Sequence, residues 1–208
     1  MDLTSTIFIV VIVIFSAIIH EVMHGVAADK LGDPTARYAG RLTLNPLVHL
    51  DPVGSVLLPL FLAISGSPIM FGWAKPVPYN PYNLRPGRFS EAIVAAAGPA
   101  SNAAIALVVG LIIRSGIFSS TVNAGIFLIV VVNVMLCIFN LIPIPPLDGS
   151  KVLSSILPSS LSRWYDNVRN TLERNPIIGM VIVVLIVYGL GSVFSTFIYS
   201  IATAISGL

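Results

Sequence analysis

The sequence predicts an all-α polytopic membrane protein with about four transmembrane helices, a re-entrant segment and a short membrane-associated β-hairpin. Three observations carry that expectation. Of 208 residues, 56% are hydrophobic and only 10% are charged, where a soluble domain carries about 25% charged residues. Mean hydropathy is +0.94. Four apolar runs, about 3–28, 91–113, 123–142 and 176–206, each meet or approach the roughly 20 residues that a bilayer core requires. With so few charges to cover a surface in water, the expected solvent is lipid.

The first run has no basic segment before it and is longer than the apolar part of a signal peptide, so it reads as a retained transmembrane helix. Residues 37–52, RYAGRLTLNPLVHLDP, alternate Arg37, Gly40, Arg41 and Thr43 with Tyr38, Leu42 and Leu44, ending at Asn45-Pro46. That period of two predicts a short hairpin. Protein must shield it at membrane depth, because lipid cannot satisfy its backbone. Run 53–71 is shorter and broken by Pro59, Gly66 and Pro68, which suggests re-entry, with Asp51 before Pro52 as its cap. Residues 72–90 are rich in proline and aromatics and read as an interfacial loop, with Trp73, Tyr79 and Tyr82 at headgroup depth. In 159–174, Leu161, Trp164, Tyr165, Val168 and Leu172 share one helical face, away from Arg163, Asp166 and Arg169. An interfacial amphipathic helix is expected there. The chain reads as a single domain, 1–208. Its core covers about 3–157, and the amphipathic helix and last span follow at about 159–206.

If 53–71 enters and leaves on one side, every Lys and Arg except Arg114 falls on one face of the membrane. The positive-inside rule makes that face cytoplasmic and puts both termini outside. The net charge of +2 is small and the basic residues are scattered, so nucleic acid is not an expected partner. Cys137 is the single cysteine, allows no internal disulfide, and reads as a small core residue.

The chemistry concentrates at IIHEVMHGVAADK, where the first span ends. His20 and His24 are four residues apart, so a helix presents both imidazoles on one side, where they can share a metal ion. Glu21 lies beside the first of them and can accept a proton from water at that ion. Ionisable groups inside a span are expensive and therefore mark function. A catalytic zinc site needs a third protein ligand, and His49, Asp51 and Asp148 are the candidates. Asp148, in NLIPIPPLDGSK, returns to the same membrane face as His24. Spacing leaves it open between ligand and N-cap of a helix starting near Ser150.

The combination of HEVMHG, NPLVHLDPVG, FGWAKPVP, AGPASN and NLIPIPPLDG, in that order across most of 16–151, resembles the site-2 protease family of intramembrane metalloproteases. The resemblance implies one Zn2+ per chain held by His20, His24 and Asp148, with Glu21 as catalytic base. It also implies that Asn140 holds substrate backbone or the developing oxyanion. Asn102 reads instead as packing glue between helices, and His49 as a structural group. The implied reaction is hydrolysis of peptide bonds in or near the membrane segments of single-span substrates, with the hairpin offering a strand edge to an unwound substrate. The implied place is the plasma membrane of a prokaryote, with the site near the cytoplasmic side. The extra domains of larger family members do not fit in this length, so the chain resembles a core-only member. The alternative is a metal-ion transporter or zinc-binding membrane protein without protease activity, which needs no Glu21 between the histidines. The sequence assigns no oligomeric state.

Overall fold

The longest helices are set by what lipid requires of a backbone, that every N–H and C=O be satisfied within the segment. The computed structural model describes residues 3–57, 60–61, 64–65 and 75–208. Helix α1 covers Leu3–Lys30, and α2 is a single turn at Thr35–Tyr38. Helices α3, Ser90–Arg114, and α4, Ser120–Asn140, form an antiparallel pair. Next come α5, Asp148–Ile156; α6, Ser159–Arg174; α7, Pro176–Gly189; and α8, Gly191–Ser206. Among the described residues, α1, α3 and α4 are each long and apolar enough to cross a membrane. Counting α7 and α8 as one broken span gives a fourth.

Helix α3 is the hub, packing on α1, α4, α5 and α8. Ala106, Ile113, Val130, Val134, Ile198 and Ala202 form the core between α3, α4 and α8. Small residues allow the close approach: a Cβ on Gly110 would lie 2.3 Å from Ile205 Cγ2. In lipid there is no hydrophobic drive between helices, so such packing and interhelical hydrogen bonds hold the bundle together. The first half of α1 shows Ile7, Val10, Val11 and Phe15 to the outside, while Ile18, His20, His24 and Ala28 in its second half are buried. That end of α1 is therefore where the protein encloses the helix.

Two expectations are corrected. Among the described residues, 37–50 contain no strand: α2 occupies Thr35–Tyr38 and a 3-10 turn occupies Pro46–His49. The alternation failed because local turns and side chains, not a partner strand, bond this segment: Tyr38 N, Gly40 N and Arg41 N donate to Pro34 O, Arg37 O and Ala36 O. Arg41 Nη2 donates to Lys75 O at 2.7 Å, His49 Nε2 donates to Thr43 O at 2.8 Å, and Asn45 Oδ1 accepts from Leu47 N at 3.1 Å. Gly40, with φ +64°, ends α2, and Pro46 starts the next turn. The last apolar run is also not one straight span. It bends by 76° at Leu190, where Gly189 and Gly191 remove the side chains that would hold a continuous helix. The expected re-entrant segment is described only at Pro52–Leu57, a helical turn, and at 60–61 and 64–65. Asp51 Oδ1 caps that turn by accepting from Val53 N and Gly54 N. Trp73 lies outside the described residues. The amphipathic helix forms as expected, with Leu161, Trp164 and Val168 exposed and Tyr165 turned inward to donate to Pro143 O at 2.8 Å.

Asp33, which the sequence reading passed over, ties the loop before α3 to the end of α1. Its buried carboxylate accepts from Thr35 N, Thr35 Oγ1, Asn80 N and Asn83 Nδ2. Burial alone would push this carboxyl up; the bonds from Thr35, Asn83 and Asn80 outweigh it and hold it below its ordinary value. A depressed folded pKa gives stability that is present above the unfolded carboxylate value and lost as pH falls through the lowered one. Asp33→Ala should destabilise the fold by about 1–3 kcal/mol at neutral pH. Its difference from the parent should shrink below about pH 4. Thermal unfolding in detergent at pH 7 and at pH 3 measures both.

Candidate metal centre

His20 and His24 lie ten and six residues before the end of α1, so they sit about 15 Å and 9 Å inside that end. The helix stacks them on one side with ring centroids 4.7 Å apart. Asp148 is the first residue of α5 and makes no capping bond; its carboxylate turns to the histidines instead. Asp148 Oδ2 lies 3.1 Å from His20 Nε2 and 3.2 Å from His24 Nε2.

The other ring nitrogens fix the tautomers. His24 Nδ1 is 2.7 Å from Val94 O, a carbonyl that can only accept. His20 Nδ1 is 2.6 Å from Asn102 Oδ1. The orientation of the Asn102 amide follows from its own partners, because Nδ2 donates to Asn133 Oδ1 at 2.8 Å and to Ser16 O at 3.3 Å. Asn133 Nδ2 in turn donates to Ser16 Oγ at 3.0 Å and to Ile129 O at 2.9 Å. Both Nδ1 atoms therefore carry the proton, and both Nε2 atoms aim a lone pair at a carboxylate oxygen. Bare, these three atoms repel one another. A shared cation at that point relieves the repulsion, while an imidazolium in a membrane interior is costly. A tetrahedral zinc with ligands at about 2.0–2.2 Å has ligand–ligand edges of about 3.4 Å, close to the separations found. The donor set fits a divalent metal.

Two glycines make the approach possible. A Cβ on Gly98 would lie 2.4 Å from His24 Nε2 and 2.6 Å from His20 Nε2. A Cβ on Gly149 would lie 2.2 Å from Leu141 O, so α5 reaches its position against the end of α4 only with glycine next to Asp148. Glu21 offers a carboxylate oxygen within 4.8 Å of ligand atoms on both histidines, and its Oε2 accepts from Val77 N at 3.0 Å. Glu21 is thus a possible third ligand by distance. Asp148 is the stronger candidate, since one of its oxygens already meets both Nε2 atoms, whereas Glu21 is partly committed to Val77.

Asn140 closes α4, donates from Nδ2 to Leu136 O at 2.9 Å in its own helix, and makes no hydrogen bond to His20, His24 or Asp148. His49 is buried; its Nε2 donates to Thr43 O at 2.8 Å and its carbonyl accepts from Lys75 N at 2.9 Å, so it joins two loop segments. Lys151 follows Asp148 by three residues in α5. It is half-buried and donates to Tyr79 Oη at 2.9 Å. Asn102 does more than join helices, because it holds His20. Asn133, Ser16, Gly98 and Val77 were not singled out from the sequence. Asn133 could have been, as a fully buried amide within an apolar span.

Over 160 residues the chain is 34% identical to "Putative zinc metalloprotease YwhC" of Bacillus subtilis, covering 73% of this chain and 69% of that one. The chain belongs to peptidase family M50, the site-2 protease family. The M50 model itself matches residues 115–186, which hold α4, α5 and Asp148. Two further relatives are "Putative zinc metalloprotease Rip2" of Mycolicibacterium smegmatis and of Mycobacterium tuberculosis strain Erdman. They are 31% and 28% identical, over 76% of this chain and 61% of each relative. The match thus spans under two thirds of the Rip2 proteins. No solved structure matches the chain. Membership and the apolar helices make this an integral membrane protein.

Gly98→Ala should remove bound divalent metal, because the new methyl takes the space of the Nε2 atoms, even though alanine favours helix. Asn102→Ala should weaken metal affinity about 10–100-fold, the usual effect of losing a group that orients a histidine ligand. Metal content and competition with a chelator, on protein with unchanged helical circular dichroism, measure both.

Proposed function

We propose that this protein is a zinc-dependent intramembrane endopeptidase that hydrolyses peptide bonds in or near transmembrane segments of single-span substrates. The observation that carries the reading is the Asp148 oxygen facing two imidazole lone pairs inside a membrane-spanning bundle. The relatives' names, zinc metalloproteases, agree with it. His20, His24 and Asp148 hold the zinc. When bound, zinc lowers the pKa of a water toward about 7 and polarises the carbonyl to be attacked.

The chain supplies the rest. Glu21, beside the ligand pair, takes a proton from the attacking water and later returns it to the leaving amine. The Val77 N–H fixes one Glu21 oxygen, and the other carries that transfer. Asn102 and Val94 keep both histidines in the Nδ1–H form, so the Nε2 atoms stay available. Asn140 closes α4 beside the Gly149–Leu141 contact and is assigned to the oxyanion or the substrate backbone. A transmembrane helix protects its own carbonyls, so the substrate must unwind locally before attack. Residues 75–80 pass Glu21, where Val77 N donates to Glu21 Oε2, and form the side of the site along which the unwound segment lies. The site lies toward the end of the bundle where Lys30, Arg37, Arg85 and Arg88 cluster, which makes that face cytoplasmic, in the plasma membrane of a prokaryote.

Purified Glu21→Gln should keep wild-type zinc content and lose cleavage of a model single-span substrate. His20→Ala and Asp148→Ala should lose both. Asn140→Ala should keep zinc and lower kcat by about 10²-fold. A Glu21→Gln protein that still cleaves would overturn the assignment of the base, and zinc retained in Asp148→Ala would overturn that of the third ligand.

A further inference from the structure

A polar cavity of about 760 Å³ opens between the start of α3, the end of α5, the start of α6 and the loop before α3, and none of His20, Glu21, His24 or Asp148 lines it. Its volume is that of a small-molecule site. Four arginines line it, Arg85, Arg88, Arg163 and Arg169, against two carboxylates, Glu91 and Asp166. The carboxylates are already engaged: Arg169 Nη1 pairs with Glu91 at 3.3 Å, and Arg169 Nε lies 3.6 Å from Asp166. Arg88 is also occupied, donating to the carbonyls of Ser155, Ile156 and Leu157 at the end of α5. The guanidinium groups of Arg85 and Arg163 make no hydrogen bond or ion pair among the described residues. Neither α3 nor α6 has a side-chain cap, so their first N–H groups add to the positive field. The cavity therefore holds an excess of two guanidinium groups.

Its depth follows from α6. Arg163, Asp166 and Arg169 face the cavity, while Leu161, Trp164 and Val168 are exposed on the other side of the helix. An exposed Leu–Trp–Val stripe on an amphipathic helix lies at the headgroup boundary. The span α3 starts at the cavity wall, at Ser90. A site rich in arginine at that level meets phosphate oxygens, which guanidinium binds in a fork.

We propose that this cavity binds a phosphate group through Arg85 and Arg163, and that its ligand is the phosphodiester of an anionic lipid headgroup. The site is independent of the peptidase reading. The full chain, stripped of lipid in detergent, is titrated with phosphatidylglycerol, with phosphatidylcholine and with inorganic phosphate. Binding is read by native mass spectrometry and by the shift in Tm. Phosphatidylglycerol should bind and raise Tm well beyond phosphatidylcholine. Affinity should fall at least about tenfold in R85Q/R163Q, the loss of two charge-assisted contacts. The control K30Q/R174Q removes the same charge from exposed positions outside the cavity and should bind as wild type does. R163E, a single change at a solvent-exposed residue of the cavity wall, should weaken binding as well and does not depend on the double variant folding. Inorganic phosphate that binds with the same arginine dependence, while phosphatidylglycerol is insensitive to it, keeps the phosphate site and assigns it to a free ligand. Wild-type affinity for both probes in R85Q/R163Q and R163E, or an equal loss in K30Q/R174Q, overturns the proposal.

Discussion

Two imidazole lone pairs and a carboxylate oxygen meet within 3.2 Å inside a bundle that lipid surrounds. In water such a meeting would relax by hydration. Here both rings are pinned from behind, by Asn102 and by Val94 O, and cannot turn away. The low-dielectric surroundings make the arrangement expensive when empty and tight when a cation fills it. Much of the neighbouring structure serves that one point: glycine at 98 to clear the Nε2 atoms, glycine at 149 to let α5 dock, and a buried Asn102–Asn133–Ser16 chain across three helices. Interhelical hydrogen bonds of this kind contribute only about 0.6–2 kcal/mol each to the association of helices in membranes. The network's larger effect is on which nitrogen of His20 carries the proton.

The irregular segments obey the same accounting for backbone groups. Between α1 and α3 the chain has few ladder partners, so Asp33, Arg41, Asn45, His49 and Asp51 take up main-chain donors and acceptors with their side chains. This explains why polar residues alternate with apolar ones in 37–50 without forming a strand. Arg41 and His49 are buried and bond main-chain carbonyls, while Arg37 and Asn45 stay exposed. The same bonds deliver the Val77 N–H to Glu21, so the loop chemistry and the site chemistry are one system. Helix α6 turns Arg163 and Arg169 toward the basic cavity, where Arg88 ties the end of α5 to the loop before α3 and Arg169 pairs with Glu91 of α3.

The sequence by itself determined the solvent, the three long apolar helices and the family. Hydropathy over 20 or more residues is a local property, so α1, α3 and α4 were legible. The spacing of four between His20 and His24 fixes a shared helical side wherever the helix lies. The five motifs, taken in order, identified the family, and with it Glu21 and Asp148 as candidates. Tertiary structure alone decided what depends on distant partners. Whether Asp148 caps its own helix or faces His20, 128 residues earlier, is a question of how α5 docks on α3. The role of Asn102 beyond packing, the need for Gly98 and Gly149, the clamp at Asp33 and the break at Leu190 also lie there. The hairpin expectation failed for the same reason. Periodicity records which side chains differ from their neighbours, while a strand exists only where another backbone lies alongside to pair with it.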